Sequence, residues 1–243
     1  MLEGLYTAAA GMAAQQERLD ALSNDVANSN TTGYKQVRVG FYDLLYQPDG
    51  PAPGAVRTGT GVAAVDVGRG FEQGSLQQTQ QPLDVAIDGE GYFQVRLPTG
   101  QTALTRDGSF RLDANREIVT ATGARLVPPI RIPAGVDDKS ISIAANGTVS
   151  VRGRTLGRIN VVNVPSPTGL VADGDSYFLP SAASGPVGRA AGARVEQGSL
   201  ESSDVDLADT MVSMMDAQRS YSMASKAIQM QDQIMQIANQ VKQ

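Results

Sequence analysis

Leu22-Ser23-Asn24-Asp25-Val26-Ala27-Asn28-Ser29-Asn30-Thr31-Thr32-Gly33-Tyr34-Lys35 is where this chain changes character. Residues 1–32, before Gly33, contain no proline, and all twelve prolines and twenty-four of the twenty-six glycines lie between Gly33 and Gly198. Residues 199–243 are again free of proline. In the first arm Leu2, Leu5, Ala9, Met12, Gln16, Leu19, Ser23 and Val26 alternate at spacings of three and four, a coiled-coil seam blurred by Gln16 and Ser23. A helix of about 28 residues is expected there, roughly 42 Å long. Gly33 is its expected left-handed stop, because glycine takes positive φ without penalty.

The second arm opens with Ser202, Ser203 and Asp204, each a good N-cap, and Asp204, Asp206 and Asp209 set negative charge against the positive end of a helix dipole. Leu207, Met211, Met214, Gln218, Tyr221, Ser225 and Ile228 form one seam. Met223, Ala227, Met230, Ile234, Ile237 and Val241 form a second beside it. One partner helix needs one seam, so two adjacent seams predict contact with more than one neighbour. The plainer reading pairs the two arms within one molecule as the cap of an ordinary domain. Against it, arms lined with Ala, Ser, Gln and Met bury little as an isolated pair, and short helices are marginal alone in water. Met-rich faces also suit repacking against several partners.

Between the arms the pattern is β. Tyr92–Leu97, Ala103–Thr105, Ser109–Leu112, Ile118–Thr120, Ile141–Ile143, Thr148–Val151 and Ile159–Val164 are short runs rich in β-branched and aromatic residues. Pro98-Thr99-Gly100, Asp107-Gly108, Asp113-Ala114-Asn115 and Asn146-Gly147 punctuate them as turns, which predicts a compact antiparallel domain. Residues 48–61, with three prolines and four glycines, read as a loop or extended excursion. Glu72-Gln73-Gly74-Ser75-Leu76 recurs as Glu196-Gln197-Gly198-Ser199-Leu200. Placed where the chain enters and leaves the β region, the two copies are expected to lie side by side.

Composition excludes several classes. The 243 residues are 41% hydrophobic, enough for a real core, but only 5% aromatic with no tryptophan. A net charge of −5 argues against wrapping nucleic acid. Residues 196–243 carry seven acids against three bases, while residues 90–160 carry ten bases against six acids. That bias reads either as two solvated surfaces or as two surfaces that meet across a subunit contact. With no histidine and no cysteine, the commonest general base, thiol nucleophiles, disulfides and thiolate metal sites are all missing. Asp88-Gly89-Glu90-Gly91 reads as a turn rather than a catalytic carboxylate pair. Gly68-Arg69-Gly70 with Gly74 has the wrong spacing for a dinucleotide fingerprint. Asp113, Asn115 and Glu117 begin like a calcium loop, but Ile118 and Ala124 stand where its Gly and Glu belong. No cofactor, metal, small-molecule substrate or nucleic-acid partner is expected. Glu3 stands where a secretory signal wants positive charge, and no apolar run approaches a membrane span.

The opening stretch strongly resembles the signature of the flagellar basal-body rod and hook protein family, in which an Asn-rich helix end runs into Asn-Thr-Thr-Gly-aromatic-Lys. The resemblance continues through Phe41-Tyr42-Asp43-Leu44-Leu45-Tyr46-Gln47, Gly59-Thr60-Gly61-Val62, Gly74-Ser75-Leu76 and Leu83-Asp84-Val85-Ala86-Ile87. Further on it takes in Gly89-Glu90-Gly91-Tyr92-Phe93, Leu104-Thr105-Arg106-Asp107-Gly108-Ser109-Phe110 and Ile118-Val119-Thr120. It closes with Gly198-Ser199-Leu200-Glu201-Ser202-Ser203-Asp204-Val205 and Gln218-Arg219-Ser220-Tyr221. A hook protein carries an additional outer domain for which this length leaves no room, so the rod branch fits better. Asn115-Arg116 departs from the usual Asn-Gly and implies a longer or differently shaped hairpin. Asp25 and Asp204 stand where asparagine is common or usual.

The expected fold class is α+β: N- and C-terminal helices paired as a coiled-coil-like domain, with a central, mainly antiparallel β domain. The expected divisions are residues 1–33 and 199–243 as the helices of an inner core domain, 34–71 as an extended connecting segment, and 72–198 as the β domain. The resemblance implies a structural, non-enzymatic subunit of the distal rod, polymerising into a helical tube that transmits torque from motor to hook. A proximal-rod paralogue and a secreted oligomeric binding module are the alternatives. Implied partners are further copies of the chain, proximal rod proteins, the hook protein, the surrounding P- and L-ring proteins and the flagellar type III export apparatus. The implied location is the periplasmic part of the basal body. Subunit contacts are expected through Leu2, Leu5, Met12, Leu19, Leu22, Asn24, Val26 and Asn28 of the first arm. From the second they are expected through Leu207, Met211, Met214, Tyr221, Ile228, Met230, Ile234, Ile237 and Val241.

Overall fold

The computed structural model describes residues 2–44, 46–48, 57–190 and 192–241. The chain forms two compact units, one of residues 1–27, 37–67 and 206–243, the other of residues 28–36 and 68–205.

In the first unit helix α1 (Leu2–Ala27) packs against helix α2 (Leu207–Val241). The side chains buried deepest on the two helices are small: Ala14 on α1 and Ala217 on α2, with Thr210 nearly as deep. The inward stripe of α2 runs Thr210, Met214, Ala217, Ala224, Gln231, while that of α1 runs Thr7, Ala10, Ala14, Ala21, Asp25. Each repeats at helical spacing; the α1 stripe lies beside the expected seam, and the α2 stripe shares only Met214 with one. Asp25 is buried among them because its Oδ1 accepts the Val37 N–H at 3.1 Å. This unit also holds β1 (Val37–Asp43), β2 (Tyr46–Pro48), β3 (Arg57–Gly59) and most of β4 (Val62–Arg69). β1 pairs with β4, and β2 pairs antiparallel with β3. Residues 49–56, the centre of the Gly/Pro excursion, lie outside the described residues.

The end of α1 matches expectation and the start of α2 does not. α1 stops at Ala27, where the Asn/Ser/Thr cluster before Gly33 begins, and an Asn-rich turn takes over: Thr31 N–H donates to the Asn28 carbonyl at 3.0 Å and Thr31 Oγ1 bonds Asn28 Oδ1 at 3.1 Å. Gly33, further along the chain, is left-handed (φ +64°), and close packing also requires glycine there, since a Cβ would sit 2.6 Å from the Asp107 nitrogen. α2 is capped by Asp206, not by Ser202, Ser203 or Asp204. Its Oδ1 accepts from Ala208 N at 2.8 Å and Asp209 N at 3.2 Å. Ser203 and Asp204 serve other backbone contacts: Ser203 Oγ accepts from Val205 N at 3.2 Å and Asp204 Oδ1 from Gln36 N at 2.8 Å.

The second unit is β apart from two short 3-10 helices (Asp138–Ser140 and Pro167–Gly169), and every strand pairing assigned within it is antiparallel. Its strands begin with β5 (Leu76–Gln78), β6 (Val85–Asp88), β7 (Tyr92–Arg96), β8 (Thr102–Thr105), β9 (Phe110–Leu112), β10 (Ile118–Thr120) and β11 (Arg125–Leu126). They continue with β12 (Ile141–Ile143), β13 (Thr148–Val151), β14 (Arg154–Arg158), β15 (Val161–Asn163), β16 (Val171–Ala172), β17 (Tyr177–Leu179), β18 (Gly188–Arg189), β19 (Arg194–Gln197) and β20 (Ser199–Glu201). The main sheet runs β16-β17-β8-β7-β11-β10-β9, with β15 also on β7 and β18 on β15. Strand alternation divides its side chains between two clusters. Phe93, Val95 and Ala103 join Phe110, Leu126 and Ile130 in the larger core, where the Phe93 and Phe110 rings meet edge-on at 5.2 Å. Tyr92, Leu104 and Phe178 form the smaller one with Val162 and Val164.

The two repeat segments meet only at their ends: β5 and β20 pair, with Leu76 opposite Glu201 and Gln78 opposite Ser199, so repeated residues face flanking ones, while Glu196 and Gln197 pair with β6. At the turn lacking the usual glycine, five residues (113–117) join β9 to β10, and Arg116 itself adopts φ +60°. Its guanidinium donates to the Val136 carbonyl at 2.7 Å, which offsets part of that backbone cost. Asp113 holds the turn by accepting the backbone N–H groups of Glu117 and Asn115, and those bonds hold its carboxyl below the usual range.

Candidate functional site

Residues 28–36 follow α1 in the chain and residues 198–205 precede α2. Within the second unit these two segments are clamped together by buried charge. Lys35 Nζ lies 2.6 Å from Glu201 Oε1, and Arg106 Nη1 lies 2.9 Å from Glu201 Oε2, with all three side chains almost fully enclosed. Lys35 Nζ also donates to the Glu72 carbonyl at 2.5 Å, and Gly74 N–H donates to Glu201 Oε1 at 3.1 Å. Gly74 must be glycine for that approach, since a Cβ would stand 2.2 Å from the Ser202 carbonyl oxygen. The cluster holds two cations and one anion. The excess positive charge faces the Tyr92 ring, whose centroid lies 5.4 Å from the Arg106 guanidinium carbon. Burial pushes the Tyr92 hydroxyl well above its usual value, and Arg106 works in the opposite direction.

Backbone contacts complete the clamp. Gly33 N–H donates to the Glu201 carbonyl at 2.9 Å, Gln36 N–H to Asp204 Oδ1 at 2.8 Å, and Asp204 N–H to the Tyr34 carbonyl at 3.3 Å. Arg69 covers the Tyr34 ring at 5.5 Å and donates to the Lys35 carbonyl at 2.8 Å. Lys35, Arg106 and Glu201 all fall inside the motif segments quoted from the sequence. Their joint role was invisible there because charged residues read as surface.

In the first unit the expected interface residues divide by exposure. Leu5, Met12, Leu19, Leu22, Val26, Met214 and Ile228 are half-buried. Asn24, Leu207, Met211, Tyr221, Met230, Ile234 and Ile237 are exposed. Asn28, half-buried, belongs to the second unit, and the side chains of Leu2 and Val241 lie outside those described. Met223, Met230, Ile234 and Ile237 are each more than half exposed, at 64%, 58%, 54% and 60%. An apolar row of that length on a solvated helix is unusual for a chain that works alone. Phe41, Tyr42, Val65 and Val67 on β1 and β4 are exposed as well.

Chemical machinery is sparse. Among the described residues no three His, Cys, Asp or Glu side chains come together as a metal site, and no helix is long and apolar enough to cross a membrane. What the molecule presents is a rigid clamp and unsatisfied apolar surface.

Residues 5–35 match the flagella basal body rod protein family. Residues 86–151 match the D1 domain of flagellar hook protein FlgE/F/G, and residues 196–241 the C-terminal part of flagellar basal body rod FlgEFG proteins. The flagellar basal-body rod protein FlgG of Borreliella burgdorferi is 41% identical over 265 aligned positions, covering 100% of this chain and 99% of that protein. The proteins of the same name from Caulobacter vibrioides and from Buchnera aphidicola of Acyrthosiphon pisum are 40% and 37% identical, each covering 99% of this chain and 100% of its relative. The matches span both helical arms, the β unit and all three members of the buried triad, and the chain belongs to the flagellar basal-body rod and hook protein family, within which it is most like the FlgG rod proteins.

Proposed function

We propose that the two helices are the polymerising element of a distal-rod subunit, their unsatisfied seams packing coiled-coil fashion against helices of neighbouring copies. The chain is a structural protein of the bacterial flagellar basal body, not an enzyme, as the names of its relatives indicate. The observation that carries the polymer reading is the exposed Met/Ile row of α2. Intramolecular pairing uses the stripe through Ala217, to which Met214 of the first seam also belongs, and leaves the second seam, from Met223 to Ile237, exposed for other copies. Burying the exposed part of those side chains is worth about 1–2 kcal/mol each. Contacts of this heterologous kind generate open helical polymers when the rotation does not close. The finer expectations belong to the same reading: a torque-transmitting tube in the periplasm, reached by type III export. It meets proximal rod proteins, the hook protein and the P- and L-ring proteins.

The chain has no cysteine of its own, so engineered thiols report contacts cleanly. With Tyr6→Cys and Met223→Cys together, a bifunctional thiol reagent applied to isolated basal bodies should give an open-ended ladder of multimers. A single discrete oligomer would favour a secreted binding module instead. The excursion at residues 48–61 is assigned to contacts between neighbours, where it stiffens the rod. Its deletion should leave rods that bend or loosen in electron micrographs. Straight rods of unchanged stiffness would remove that role.

A further inference from the structure

Across the main sheet the strands run β18-β15-β7-β8-β17-β16, which puts the two-residue strands β18 and β16 at opposite edges. Five ladder steps separate them, roughly 24 Å. The two edges carry opposite charge. Arg189 lies on β18 and joins Arg158, Asn146 and Asn160 in lining a pocket of about 30 Å³. Arg158 is anchored there by its Nε, which donates to the Asn146 carbonyl at 2.8 Å. Both guanidinium groups are exposed, and neither makes an ion pair among the described residues. Glu90, an acid on the loop leading into β7, bonds Asn163 instead at 3.5 Å. So small a pocket has no room for a cofactor, but it fits the end of one carboxylate, which a guanidinium fork grips in two places.

Residues 139–195 contain six bases and only two acids, Asp173 and Asp175. Both acids stand at the far edge, in the turn between β16 and β17. That turn is tight: Asp173 N–H donates to the Tyr177 carbonyl at 3.0 Å and Tyr177 N–H to the Gly174 carbonyl at 2.8 Å. Asp175 and Ser176 both adopt left-handed φ, at 46° and 58°. Two consecutive non-glycine residues in that region carry conformational strain. The result is a pair of exposed carboxylates that make no ion pair among the described residues.

We infer that the Asp173–Asp175 turn of one copy docks on the Arg158–Arg189 pocket of the next, a lateral contact between the β units of neighbouring subunits. The inference rests on the polymer reading above and deepens it by naming a second contact surface. Opposite edges meeting head to tail make a propagating contact, whereas a two-fold dimer through either edge would set like charges together.

The test uses the full chain in a strain lacking the gene, with distal rods counted in electron micrographs. R158E/R189E makes both edges acidic. D173R/D175N adds positive charge at the turn while keeping at position 175 a residue that tolerates left-handed φ. All four side chains are exposed, so the melting temperature of each variant should stay near that of the parent. Each variant alone should lower the number of complete rods about ten-fold or more. Expressed together they should restore it, because each now supplies the edge the other lacks. Normal rod numbers in both single strains would overturn the inference, and so would co-expression that stays as poor as either alone. Failure of the parent gene itself to build rods would instead overturn the polymer reading.

Discussion

Glu201→Gln is expected to lower the thermal stability of the β unit more than any other single isosteric change. The amide keeps the shape but leaves Lys35 and Arg106 enclosed without their counter-charge. Breaking a buried pair in this way costs about 3–5 kcal/mol. At roughly 2–4 °C per kcal/mol for a chain of this size, the midpoint should fall by about 10 °C. The Gly74 N–H also loses a charged acceptor. A partial remedy is built into the same logic. Removing all three charges together, as Lys35→Met, Arg106→Leu and Glu201→Leu, should recover much of the loss, because the desolvation penalty goes with the charges. Calorimetry of the single and triple variants checks this. A single variant that melts within about 1 °C of the parent would show that the cluster is not structurally important. In cells, weakening the clamp should cost rods, since residues 28–36 and 198–205 would no longer be held to one another.

Ile228→Asp and Leu19→Asp should abolish assembly. Both side chains are half-buried in the isolated chain, and in the polymer they lie on the proposed shared seams. An aspartate there is taken out of water without a partner, at a cost of several kcal/mol repeated in every subunit. Since each 1.4 kcal/mol is a factor of ten, about 3 kcal/mol weakens the contact more than a hundred-fold. Ile234→Asp separates folding from assembly, because that side chain is already 54% exposed. It should leave the circular dichroism of the purified chain unchanged and still prevent rods from forming. Normal flagella in the Ile228 and Leu19 variants would contradict the seam assignment.

The legible parts of this fold are those in which neighbours in sequence share one environment. The two arms announce themselves through proline exclusion and three–four spacing. Strands such as Ile118–Thr120 and Thr148–Val151 were expected with the bounds the structure gives them. The echo of Glu-Gln-Gly-Ser-Leu marks the two segments that meet in the β5–β20 pair, although the register sets each copy against flanking residues. Other features depend on distant partners. β14, Arg154-Thr155-Leu156-Gly157-Arg158, has little strand character of its own and is a strand because β13 offers it a ladder. The helix-pairing stripe was missed because Ala14 and Ala217 are small, and size rather than apolarity decides how closely two helices approach. The N-cap falls to Asp206 because Asp204 is engaged by the clamp and Ser203 by a local turn to Val205 N. The clamp itself joins positions 95 and 166 residues apart, a separation that no local pattern reports.

Electron microscopy of basal bodies from a strain lacking this gene decides whether the chain builds the distal rod. The expected result is a rod that is present at its base but lacks its distal part and its hook. An intact rod carrying a hook would contradict it.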